Sequence, residues 1–81
     1  MGKTIRMYTT NFCADCRRAK SFLKEREVSF EEIRVEETPG AVEFVVRANQ
    51  GKHRVPTFEV DGHTFHCSPF DPQKLARELG L

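Results

Sequence analysis

The pair Asp61-Gly62 is the feature that most narrows what this chain can fold into. A two-residue type I′ turn needs positive φ at both central positions, and Asp-Gly is among the few pairs that tolerate it. Thr57–Val60 and His63–His66 are therefore predicted to be antiparallel strands of a hairpin. In that register Val60 faces His63 and Phe58 faces Phe65, so the two Phe form a cross-strand pair on one face. Glu59, Thr64 and His66 share the other face. With 81 residues, the chain is read as a single domain over 1–81. A domain of that size buries only about three fifths of its unfolded surface, so its core must be built from few elements.

The remaining elements follow from hydrophobic period. Ile5 and Met7 with the β-branched Thr4 and Thr9 predict a short strand over Lys3–Thr9, ended by Thr10 and Asn11. From Cys13 to about Arg26, the residues Cys16, Ala19, Phe22 and Leu23 recur at helical spacing. Arg17, Arg18, Lys20, Lys24 and Glu25 fall on the opposite arc. Val28, Phe30, Ile33 and Val35 predict a second strand over Val28–Val35. Thr38-Pro39 reads as an N-cap and first-turn proline for a second helix bearing Val42, Val45, Val46 and Asn49 and closed by Gly51. Asp71 and Pro72 open a last helix with Leu75 and Leu79 inward and Gly80 at its end. The predicted order is βαβαββα, an α/β fold.

Charge and composition exclude several classes of function. Thirteen basic and twelve acidic side chains leave a net charge of +1, which is no footprint for nucleic acid and no polybasic patch for a membrane. No run of eighteen apolar residues spans a bilayer, and Met1–Tyr8 has no apolar leader. The expectation is a cytoplasmic protein, and a monomer. Hydrophobic residues at 38% and seven Phe suffice for an ordinary core. Three cysteines are too few and odd for a secreted disulfide scaffold, so reactive or metal-binding thiols are the better reading.

Cys13-Ala14-Asp15-Cys16 follows a predicted strand directly and opens a predicted helix, the context in which Cys-x-x-Cys is redox-active. Unpaired backbone N–H groups and the positive end of the helix dipole favour a thiolate there, which makes Cys13 the expected nucleophile. Cys16, one turn deeper, is the expected resolving thiol. Arg17 and Arg18 add positive potential and Asp15 opposes it, so no net sign is assigned.

Together, the strand, Met7-Tyr8-Thr9-Thr10, Cys13-Ala14-Asp15-Cys16, and Arg54-Val55-Pro56-Thr57 before the hairpin resemble the glutaredoxin family of thioredoxin-fold proteins over essentially the whole chain. The resemblance implies a thioredoxin-like, four-stranded mixed sheet with three helices. It also implies a cis Pro56 facing the cysteines and pairing of the Val55 backbone with substrate. Cys67 would lie in a loop beside the active site. Thr10 stands where the family commonly has a basic residue. His66-Cys67-Ser68-Pro69 stands where it has Gly-Gly followed by Asp, so two usual contacts to glutathione are missing. Arg54 or Lys52 is the candidate replacement cation. Ser68-Pro69-Phe70-Asp71-Pro72 is similar to a segment of the small redoxins that serve ribonucleotide reductase and are reduced by thioredoxin reductase. The substrate-facing set implied around Cys13 and Cys16 is thus Thr10, Arg54, Val55, Pro56, Cys67 and Ser68. The implied activity is that of a dithiol–disulfide oxidoreductase reducing protein disulfides or glutathione-mixed disulfides, with disulfide-bearing proteins as partners. The reductant is either glutathione, which is also a candidate co-substrate, or a flavoenzyme of the thioredoxin-reductase type. No tightly bound cofactor is expected.

Blander readings stand beside these. Cys-x-x-Cys is half of a zinc site, and His63, His66 and Cys67 offer further ligands; a zinc or iron–sulfur carrier module is therefore the alternative function. Cluster-carrying relatives in the family are typically monothiol, whereas this chain keeps both cysteines. Cys67 alone reads as an inert small hydrophobe. His53, His63 and His66 have no evident carboxylate partner and are assigned no catalytic role. The Phe residues and the Val42, Val45, Val46 stripe are expected in the core. Glu31, Glu32, Glu36 and Glu37 are expected on a solvated edge.

Overall fold

The computed structural model describes residues 4–81, so Lys3 of the predicted first strand lies outside them. The elements are β1 (Ile5–Thr9), α1 (Ala14–Glu25), β2 (Glu31–Arg34), a 3-10 turn (Val35–Glu37), α2 (Ala41–Ala48), β3 (Thr57–Val60), β4 (His63–His66) and α3 (Pro72–Leu79). They form an α/β fold around one four-stranded mixed sheet in the order β2-β1-β3-β4. β1 runs parallel to β2 and antiparallel to β3.

The hairpin has the register its turn dictates. Phe58 lies opposite Phe65, Val60 opposite His63 and Glu59 opposite Thr64, while Asp61 (φ 52°) and Gly62 (φ 83°) both take positive φ. The two Phe rings stack at 5.1 Å.

Alternation along β1 sends Ile5 and Met7 to one face of the sheet and Tyr8 to the other. The first face packs on α1 and α3 through Cys16, Ala19, Leu23, Phe58, Leu75 and Leu79. The second packs on α2, where Tyr8 joins Val35, Ala41 and Val45 and its ring stacks on Phe44 at 4.8 Å. Each fully buried Leu or Phe contributes about 1.5–3 kcal/mol by leaving water.

Three expectations shift. The second strand is shorter than Val28–Val35, because Val28 and Phe30 pack against the core below the sheet and Val35 already belongs to the 3-10 turn. α2 starts at Ala41 behind Gly40, whose φ of 83° supplies the turn, so Thr38-Pro39 is not its cap. The Phe residues are not all inside: Phe12 is 98% exposed, and in the valine stripe Val42 is 42% exposed while Val45 is fully buried.

A buried polar residue fixes the approach to β3. Asn49 donates through Nδ2 to the Val45 carbonyl (2.8 Å) and to Thr57 Oγ1 (3.0 Å), and Thr57 Oγ1 donates to the Arg54 carbonyl (2.6 Å). The end of α2 is thereby tied to the loop carrying Val55 and Pro56.

Candidate active site

Cys13 is the N-cap of α1. Its backbone is extended (φ −131°, ψ 105°), and its Sγ accepts a hydrogen bond from the Cys16 amide at 3.0 Å. An N-cap acceptor answers one of the N–H groups that the first turn leaves unpaired, and here that acceptor is sulfur. Cys13 and Cys16 are joined as a disulfide, with Cα atoms 5.2 Å apart. Cys13 is half-buried, whereas Cys16 is 1% exposed in the core beneath it.

The Val55 carbonyl oxygen lies 3.8 Å from Cys13 Sγ, and the Val55–Pro56 peptide is cis. The loop after β4 closes the third side: the Cys67 amide donates to the Pro56 carbonyl (3.0 Å) and the Phe70 amide donates to Asp15 Oδ1 (3.1 Å). A second cis bond, Ser68–Pro69, lies between those two ties. Thr10 is half-buried at the end of β1, and Ser68 and Arg54 are half-buried as well. Arg54, Lys52, His66 and Ser68 line, with Asn49 and Gln50, a cavity of about 400 Å³.

Cys67 is fully buried. Burial pushes its thiol above the ordinary range, the opposite of what a nucleophile needs. Its Sγ donates to the Asp71 carbonyl and accepts from the Asp71 amide (3.4 and 3.3 Å). His66 is pushed below its ordinary value by burial and then by Lys74 and Arg54, and its Nδ1 accepts from the Ser68 amide. His63 does have a carboxylate partner, Glu78 on α3 at 3.1 Å. Among the described residues no three His, Cys, Asp or Glu side chains converge as metal ligands, so the second knuckle of the zinc alternative is not assembled.

The acidic run sits on the β2 edge but is engaged. Glu32 accepts from Thr9 Oγ1 (2.8 Å) and Lys20 Nζ (3.0 Å), and Glu36 accepts from the Asn11 amide (2.8 Å) just before the cysteine turn. Sequence reasoning missed Asp15, Asn49 and Glu36 as builders of the site, since each acts on a residue distant along the chain.

The glutaredoxin family model matches residues 5–65, which include both cysteines and the Val55-Pro56 loop. The chain belongs to the glutaredoxin family. Within it, the glutaredoxin-like protein NrdH of Lactococcus lactis is 34% identical over 73 residues, covering 90% of this chain and 96% of the relative. Glutaredoxin 1 of Rickettsia conorii is 36% identical over 77 residues, covering 91% and 76%. The solved NrdH-redoxin of Escherichia coli, described as glutaredoxin-like with a thioredoxin-like activity profile, superposes with a TM-score of 0.74 at 31% identity over 91% of this chain and 92% of that one. This glutaredoxin-family chain is thus a redox protein of the glutaredoxin and NrdH kind carrying a Cys13–Cys16 pair. No helix among the described residues is long and apolar enough to cross a membrane.

Proposed function

We propose that the chain is a dithiol–disulfide oxidoreductase for protein disulfides, with Cys13 as nucleophile and Cys16 as resolving thiol. The observation that carries this is the asymmetry of the pair: Cys13 caps the helix at the surface, and Cys16 is buried one turn below. The Cys13 thiolate attacks one sulfur of the substrate disulfide, and the other sulfur leaves and takes a proton. Cys16, deprotonated, then attacks Cys13 Sγ and expels the second substrate thiol. The substrate gains two electrons and two protons, and the protein is left as the Cys13–Cys16 disulfide.

The electrons that restore the dithiol come from a flavoenzyme of the thioredoxin-reductase type in preference to glutathione. Thr10 supplies no cation, and His66-Cys67-Ser68-Pro69 occupies the place of an open Gly-Gly backbone. The thioredoxin-like activity profile described for the Escherichia coli NrdH-redoxin supports the same choice. A second reading has one observation in its favour: the cavity bearing Lys52, Arg54 and His66 suits a carboxylate of glutathione, with Arg54 as replacement cation beside Val55. In either case the protein holds no tightly bound cofactor and works in the cytoplasm as a single 1–81 domain.

Two measurements test this. Rapid iodoacetamide labelling of the reduced protein near neutral pH is expected at Cys13 first, and faster labelling of Cys16 or Cys67 would reverse the roles. Reduction of the oxidised protein by thioredoxin reductase with NADPH is expected to outpace reduction by glutathione with its reductase. A glutathione rate equal to or above the flavoenzyme rate would overturn the donor assignment, and its loss in Arg54→Ala would identify the compensating cation.

A further inference from the structure

The residue between the two cysteines is bonded across the molecule. Asp15 lies in the first turn of α1 with its side chain 25% exposed, 3.6 Å from Arg18. Such an exposed ion pair adds little stability. Its other contact is of a different kind: Asp15 Oδ1 accepts the amide of Phe70, 55 residues away. Phe70 packs against the main core with its ring edge-on to Phe22 at 6.2 Å. Three residues earlier, the Cys67 amide is held by the Pro56 carbonyl, and the Val55 carbonyl faces Cys13 Sγ. The segment Cys67–Phe70 therefore spans the two halves of the site, pinned to the proline loop at one end and to the cysteine turn at the other.

We propose that Asp15 is a positioning residue for disulfide exchange, whose carboxylate holds the Cys67–Phe70 segment as the third wall of the groove around Cys13. The Cys67 end is tied through the backbone; at the Phe70 end the ring packs on Phe22, and the backbone is fixed to the cysteine turn through the Asp15 carboxylate. Without it the segment is anchored at Pro56 and at α3 but not at the cysteine turn, and a protein substrate meets a wall of variable position. The effect belongs to binding more than to the bond exchange itself, because neither sulfur touches the latch. The inference rests on the disulfide-reductase reading for its kinetic arm, and on geometry alone for its structural arm.

The test uses the full chain with Asp15→Asn, Asp15→Glu and Asp15→Ala. Asn keeps an acceptor at the same position and loses the charge, while Glu keeps the charge and displaces the acceptor. Losing a hydrogen bond to a charged group is expected to raise KM for a protein disulfide about tenfold in Asp15→Ala and Asp15→Glu, with kcat nearly unchanged and KM largely restored in Asp15→Asn. Hydrogen exchange at the Phe70 amide, read by NMR without any activity assay, is expected to accelerate about tenfold in the same two variants and to stay slow in Asp15→Asn. Wild-type KM and wild-type Phe70 exchange in Asp15→Glu would overturn the proposal, and an impaired Asp15→Asn beside that unimpaired Asp15→Glu would show that the charge, not the placed acceptor, is the cause. A wild-type protein that reduces no disulfide would remove the proposed function, while the exchange pattern would still decide whether Asp15 is the latch. Should Asp15→Ala not fold, the contrast between Asn and Glu suffices.

Discussion

The N-termini of α1 and α3 are built alike and used differently. Each helix is preceded by an extended cap residue, Cys13 at φ −131° and Asp71 at φ −139°. Asp71 Oδ1 accepts from both the Gln73 and Lys74 amides (3.0 and 3.2 Å), so a carboxylate answers two of the amides at the positive end of the dipole. Cys13 answers a single amide, with a sulfur that carries charge only when the pair is reduced. The same backbone geometry thus serves stability where the cap is a carboxylate and, on the proposed role of Cys13, reactivity where it is a thiol. The first turn of α1 presents a demand for negative charge that a thiolate meets.

The sharpest way to probe that contrast is to disable the resolving thiol. Cys16→Ser is expected to lower turnover by orders of magnitude while preserving attack by Cys13, so a mixed disulfide with a protein substrate should accumulate and be visible by mass. A variant that turned over normally would show that Cys16 is dispensable. At the other helix, Asp71→Ala is expected to cost about 1 kcal/mol, or about 4–8 °C in Tm for a domain of this size, with the reductase rate unchanged. An intact Tm would mean that the cap contributes nothing and that the two termini are not comparable.

The smallest effect is electrostatic. His66 is held below its ordinary value by burial, Lys74 and Arg54, so the folded state binds its proton less readily than the unfolded chain does. The sign follows: this contribution is present above the unfolded pKa of about 6.5 and is lost as pH falls through the lower folded value. Tm should therefore decline modestly from about pH 7.5 to 5, and His66→Gln should flatten that slope. An unchanged slope would relieve His66 of the role.

Much of this was legible locally. The hairpin register needs only Asp61-Gly62 and alternating residues, and α3 needs only Asp71, Pro72 and the Leu75–Leu79 spacing. The cysteine pair could be placed at a strand-to-helix junction because both flanking periods are strong. What escaped is carried by tertiary contact. The start of α2 was misplaced because Thr38-Pro39 imitates a helix opening that Gly40 supplies by its left-handed backbone. Asn49 looked like one more position on a helical stripe, yet its amide bonds to Thr57 set the approach to the proline loop. The pairing of Asp15 with Phe70 and of His63 with Glu78 has no signature in spacing, since each joins elements that only the folded sheet brings together. Phe12 broke the rule that aromatics go inside, standing almost fully exposed in the turn before Cys13.

The order β2-β1-β3-β4 leaves two open borders, and the chain guards the β2 side with charge. That strand is only four residues long, three of them the charged Glu31, Glu32 and Arg34. Arg6 on the neighbouring strand pairs with Glu31, and Lys20 on α1 with Glu32, so the acidic heads stay anchored along the rim. Another extended chain seeking to add itself there would gain few backbone hydrogen bonds and would have to strip water from those heads. The border thus resists the stacking of strands into aggregates, whereas Val55 and Cys13 meet away from either border, at the ends of the two central strands β3 and β1.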